Sequence, residues 1–259
     1  MGKWVLAAAM ALVATSAGAQ EGPGAAELKT CAAAAQKADW QTVISSCEKA
    51  LGIMGKEHVG ARYYLGKGYI GTKQTAKGVE NLTKFLELAK GRDDVPAAFV
   101  NDSNGVLGKY YFADKKYAQS IPYLEALLAT DRNDENMHYR LAIAAQRTKN
   151  TAKAEKHFNE VIRLDPTKTD PYYYAGRIAY GKKQNDKARQ HFEKFVELKP
   201  GDPRVPQVQY MLCGLTYNAG DHPAAQSYCD SYMASGPKPG SQTDTVKQIL
   251  EALKSSKGS

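Results

Sequence analysis

Pro166 and Pro200 stand 34 residues apart, and each closes the same run of residues. Ala154, Phe158, Val161 and Leu164 precede the first, and Ala188, Phe192, Phe195 and Leu198 precede the second. Such a period constrains the fold more tightly than composition does, because each copy must take the same conformation and bury its apolar face against a neighbour. Within each copy the three- and four-residue spacings set the apolar residues on one helix face. No stretch alternates convincingly with period two, so the sequence predicts essentially no strand.

Extending this frame gives six repeats, near 24–57, 59–92, 101–134, 135–168, 169–202 and 206–239. The register breaks twice, at an eight-residue insertion from Asp93 to Val100 and a three-residue insertion from Pro203 to Val205. Both fall between helix pairs, where extra residues cost little. In the first helix of each pair a small residue follows a mostly apolar one, in Leu65-Gly66, Leu107-Gly108, Leu141-Ala142 and Ala175-Gly176. The second helix answers with Gly78, Ser120, Ala154, Ala188 and Ala225, and four positions on with Leu82, Leu124, Phe158 and Phe192. Turn residues separate the two helices, as in Ala38-Asp39, Lys149-Asn150 and Gly220-Asp221.

This pattern resembles the tetratricopeptide-repeat family over roughly Gly24 to Pro239. The chain departs from the family pattern in two ways. The early aromatic of the first helix is replaced by Glu27, Arg62, Asn104, His138, Tyr172 or Gln209, and the closing proline is missing from the first three copies. The resemblance implies an all-α fold, a right-handed α-solenoid of six helix pairs. Its last pair needs a lid. The segment Thr243 to Lys254 fits that role, with Val246, Ile249, Leu250 and Leu253 on one stripe and Asp244 placed to cap it; disorder is expected beyond Ser255.

The first 19 residues read as a secretory signal: Lys3, then an apolar run from Val5 to Val13, then the small exit Ala17-Gly18-Ala19. The run is shorter than the roughly 20 residues of a spanning helix, and no cysteine follows the exit for lipidation. An exported, periplasmic or extracellular protein that does not span the membrane is expected. The formal net charge of +8 is spread along the chain rather than gathered in a basic tract, which argues against nucleic acid and leaves a mild bias toward acidic partners.

Cys31 and Cys47 are 16 residues apart, as are Cys213 and Cys229. Both pairs fall on the same two positions of the repeat, those held by Gly176 and Phe192 in the fifth copy. These positions face each other across a helix pair, so disulfides Cys31–Cys47 and Cys213–Cys229 are expected in an exported protein. Free core thiols fit a reducing compartment, and a zinc site needs four ligands together, whereas the two pairs belong to opposite ends of the repeat array.

His157 and His191 share one position of adjacent second helices and read as two stacked, partly exposed imidazoles with no third metal ligand in register. No phosphate loop or nucleophile elbow is present, and no cofactor or enzymatic activity is expected. In the tetratricopeptide family the first helices line a concave groove. Those positions hold Tyr63, Tyr139, Tyr173 and Tyr210, then Lys67, Lys109 and Arg177 one turn on, then Phe112, Tyr180 and Tyr217. The expected function is a scaffold or adaptor of the bacterial periplasm or cell envelope that binds a protein or peptide with acidic groups in that groove. Two other readings remain: a glycan- or peptidoglycan-binding envelope module, and a pilotin-like outer-membrane assembly factor. The groove does not reproduce the lysine–asparagine carboxylate clamp of chaperone-binding relatives.

Overall fold

The structure, a computed structural model, describes residues 22–256. The signal sequence expected over residues 1–19 lies outside the described residues, as do the last three residues of the expected tail. Among the described residues there are thirteen helices and no strand. The chain divides into two compact units, one ending at Arg132 and one starting at Asn133.

The N-terminal unit holds three helix hairpins: α1 (Ala25–Gln36) with α2 (Trp40–Met54), α3 (Val59–Gly71) with α4 (Thr75–Ala89), and α5 (Ala97–Ala113) with α6 (Tyr117–Thr130). The C-terminal unit holds three more: α7 (Glu135–Arg147) with α8 (Thr151–Leu164), α9 (Thr169–Gly181) with α10 (Asn185–Leu198), and α11 (Val205–Asn218) with α12 (His222–Ala234). A last helix, α13 (Ser241–Ser256), packs on α11 and α12. Half of the eight-residue insertion is helical, since α5 starts at Ala97 behind Pro96. Proline suits this place, because the donor it lacks would have no helical partner.

Every hairpin turns in the same way. The residue at the turn takes a left-handed conformation, at Ala38, Lys73, Lys115, Lys149, Lys183 and Gly220. That geometry lets the next amide reach back five residues and close the first helix, as Asp39 N–H does to the Ala34 carbonyl and Asn150 N–H to that of Ala145. The same residue then opens the second helix where its side chain allows. Asp39 accepts from Thr42 N–H, Asn150 from Lys153 N–H and Asp221 from Ala224 N–H. Only Gly220 takes the left-handed turn without the cost an L-side chain meets there.

The helices of a hairpin meet where the sequence alternates small and large. A Cβ on Gly66 would lie 2.7 Å from Leu82, and one on Gly176 would lie 2.6 Å from Phe192. Leu82 and Phe192 are fully buried there, as are Leu124 and Phe158 in their hairpins. At these same positions the end hairpins bring Cys31 to Cys47 and Cys213 to Cys229 at disulfide distance, with Cα separations of 5.4 and 5.0 Å. On α13, Val246 and Leu253 are buried, and Ile249 and Leu250 pack beside them against the last hairpin. Asp244 does not cap this helix: α13 starts at Ser241, which leaves Asp244 inside its first turn.

Two glycine substitutions separate close packing from helix propensity. Gly176→Ala drives a methyl into the Phe192 ring and is expected to cost about 1–3 kcal/mol. Gly214→Ala, in α11, meets no atom within 4 Å and is expected to stabilise by about 0.5–1 kcal/mol. Denaturant unfolding of the two variants checks both signs.

Candidate functional site

Of the residues expected to line a groove, those on the first helices divide by burial. In the N-terminal unit Tyr63 is only 6% exposed, its ring held among Tyr64, Phe85 and Phe99. Its hydroxyl donates to Asp102 Oδ2 on α5 at 3.0 Å. Lys67, one turn further along α3, donates to both oxygens of Asp102 at 2.8 and 3.0 Å. The buried ring and the neighbouring carboxylate push the Tyr63 hydroxyl far above its ordinary pKa, so it stays a donor. Lys109 is exposed, and Phe112 packs edge-on against Tyr117.

The C-terminal unit repeats this arrangement with a different cation. Tyr139 on α7 donates to Asp170 Oδ2 on α9 at 3.2 Å, the same tyrosine and aspartate positions of the repeat. Burial, then Asp170, raises its pKa. Ile143 stands where Lys67 stands in the other unit, and the ion pair to Asp170 comes instead from Arg204, inside the three-residue insertion. Arg204 also grips buried Asp202 through both guanidinium nitrogens at 2.8 Å, and its plane lies over Tyr173 at 4.7 Å and Phe195 at 5.0 Å. Asp202, 3% exposed at its side chain, is held well below the usual carboxylate range, chiefly by Arg204.

Tyr173 is thus 9% exposed, covered by Arg204 on its ring and touched by Arg177 Nη1 at its hydroxyl, 3.4 Å away. Arg177 is exposed on α9, and Tyr180 one turn on is 43% exposed with its ring 6.4 Å from Phe192. Tyr210 packs against Tyr232 beside the Cys213–Cys229 pair, and Tyr217 stacks on His222. The tyrosines at the early position therefore serve mainly as seams between helices, while Lys109, Arg177 and Tyr180 stay accessible.

The histidines differ from the sequence expectation. His157 is buried, and its Nδ1 lies 2.9 Å from Nδ1 of His138 within the same hairpin, while His191 sits beside Tyr172. In three hairpins these two positions pair across the hairpin rather than along the array, as Arg62 with Asn81 also shows at 2.8 Å. Among the described residues no three metal-ligating side chains gather. Asp102, Asp170 and Arg204 were absent from the sequence reading. The two aspartates carried a signal, each lying six residues before the small residue of its helix; Arg204 lies outside the repeat frame and carried none.

Arg204→Gln leaves Asp202 buried with a weakened partner and removes the cover from Tyr173. It is expected to cost about 2 kcal/mol at pH 7, discounted from the usual loss for a buried pair because Arg204 is about a quarter exposed. The lowered folded pKa of Asp202 gives stability that is present above about pH 4, the unfolded aspartate value, and lost as pH falls through the folded value. The gap between wild type and variant in denaturant melts should therefore narrow below about pH 4.

Two tetratricopeptide-repeat models match the sequence, over residues 111–178 and 169–202. No curated protein matches it. Among solved structures, YrrB, described as a TPR protein with an unusual peptide-binding site, superposes with a TM-score of 0.53 at 17% identity, covering 76% of this chain and 97% of its own. MamA AMB-1 superposes with a TM-score of 0.50 at 19% identity, covering 69% and 93%. At these identities the likeness speaks for the fold. With the repeat period, the paired helices and the in-phase small and large residues, the two models show tetratricopeptide repeats over residues 111–202, and the superpositions show the fold of such repeats.

Proposed function

We propose that the chain is a protein-binding scaffold of the bacterial periplasm or cell envelope that holds a partner segment on the first helices of its C-terminal unit. The carrying observation is the exposed pair Arg177 and Tyr180 on α9: the cation has no acidic partner among the described residues, whereas its counterpart Lys67 is neutralised by Asp102. An exposed guanidinium beside an aromatic ring suits an acidic, extended segment. The peptide-binding site named for YrrB is consistent with this use of the fold. Export is supported by the signal-like start and by the two cysteine pairs at disulfide distance. Among the described residues no helix is long and apolar enough to cross a membrane.

The test places a photo-crosslinker at exposed Gln207, on the neighbouring first helix, in living cells. A protein adduct is expected, and Arg177→Ser with Tyr180→Ser should reduce it at least tenfold. Since both are surface side chains, the melting temperature should shift by no more than about 4 °C. An adduct unchanged by the double substitution overturns the assignment of this face. Cosedimentation with purified cell wall, without any protein adduct, supports the glycan reading in its place.

A further inference from the structure

In the N-terminal unit, a tyrosine hydroxyl and a cation one turn apart on α3 converge on one carboxylate, that of Asp102. Asp102 lies on the next first helix, α5, six residues before Gly108. The C-terminal unit carries the same donors at the same two positions of α9, where Tyr173 and Arg177 bring hydroxyl and guanidinium to 3.4 Å. The acid is missing. Six residues before Cys213 on α11, where Asp102 has its counterpart, stands Gln207, an exposed amide.

The acids nearby are already engaged. Asp170 takes Tyr139 and Arg204, and Asp202 takes Arg204 and Lys199. The Tyr173 hydroxyl accepts from Arg177, and its own proton has no acceptor among the described residues. Two donors that elsewhere in this chain share an aspartate thus stand together here without one. We propose that Tyr173 and Arg177 form a subsite for the side-chain carboxylate of an aspartate or glutamate in a bound peptide, which takes the place Asp102 fills in the other unit.

This rests on the peptide-binding reading above and gives it a chemistry. Arginine rather than lysine at this position agrees with it. A planar, pre-set fork holds a carboxylate arriving from outside at less entropic cost than a flexible ammonium does. The Tyr173 ring, buried under Arg204, does not stack on the ligand; only its hydroxyl edge takes part.

The experiment uses the full mature chain and an immobilised array of random eight-residue peptides with amidated C-termini. A matched array carries asparagine and glutamine in place of every aspartate and glutamate. Peptides bound on the first array should lose at least tenfold in affinity on the second. Arg177→Gln should weaken them at least tenfold, and Tyr173→Phe, which keeps the buried ring, several-fold with little change in melting temperature. Gln207→Asp is the decisive variant. By supplying the missing acid internally it should weaken peptide binding at least tenfold while leaving the melting temperature equal or higher by up to about 2 °C. Peptides bound equally on both arrays, or unaffected by Arg177→Gln and Gln207→Asp, overturn the carboxylate subsite and leave peptide binding standing. A third array carries the same peptides with free C-terminal acids, and binding seen on that array alone assigns the subsite to a chain end and overturns the side-chain assignment. An absence of binding to any peptide overturns both this proposal and the function on which it rests.

Discussion

The two helices of each hairpin can lie as close as they do because one position of the first helix carries almost no side chain. Gly66, Gly108, Ala142 and Gly176 fill that position, and Leu82, Leu124, Phe158 and Phe192 press into it from the second helix. Tight packing leaves no room for a larger residue and no void if the pair is matched. In the end hairpins the same facing positions hold cysteines, because a Cα separation near 5 Å is what both close packing and a disulfide require. A covalent link there ties the two helices of the first and last hairpins directly, where the other hairpins rely on the packing of a large side chain into a small one.

From that fixed spacing follows the lateral register of the polar residues. Tyr63 reaches Asp102 and Tyr139 reaches Asp170 because consecutive first helices keep the same offset within each unit. A tyrosine in this seam supplies buried ring area inside and a hydroxyl at the edge, and the edge hydroxyl fixes a carboxylate that in turn fixes a cation. Where the cation is Lys67 a carboxylate closes the set, and where it is Arg177 no carboxylate among the described residues joins it. The difference lies in one residue of the following helix, aspartate at 102 and glutamine at 207.

The hairpins, the lid and the cysteine pairing were legible in the sequence because each depends on residues recurring in phase. The positions of the tyrosines were legible too, but their burial was not. Tyr63 and Tyr180 both read as first-helix aromatics, yet one lies under Phe85 and Phe99 and the other faces outward, and only the neighbouring helix decides which. His157 was misread for a related reason. Its partner His138 lies across the hairpin and at a different position of the repeat, so period alone does not find it. Arg204 was hidden more deeply, since it enters the seam of Tyr173 and Phe195 from an insertion that breaks the frame.

The facing small and large positions hold the hairpins, with sulfur doing at the ends what packing does in the middle. A disulfide closing a loop of 16 residues contributes about 3 kcal/mol, on the order of a hundredfold in the opening equilibrium. Native-state hydrogen exchange before and after mild reduction measures this hairpin by hairpin. Amides of α1, α2, α11 and α12 should lose protection by about that factor while those of α3, α4, α9 and α10 keep theirs. Unchanged exchange in the end hairpins, or an equal loss along the whole chain, would contradict it.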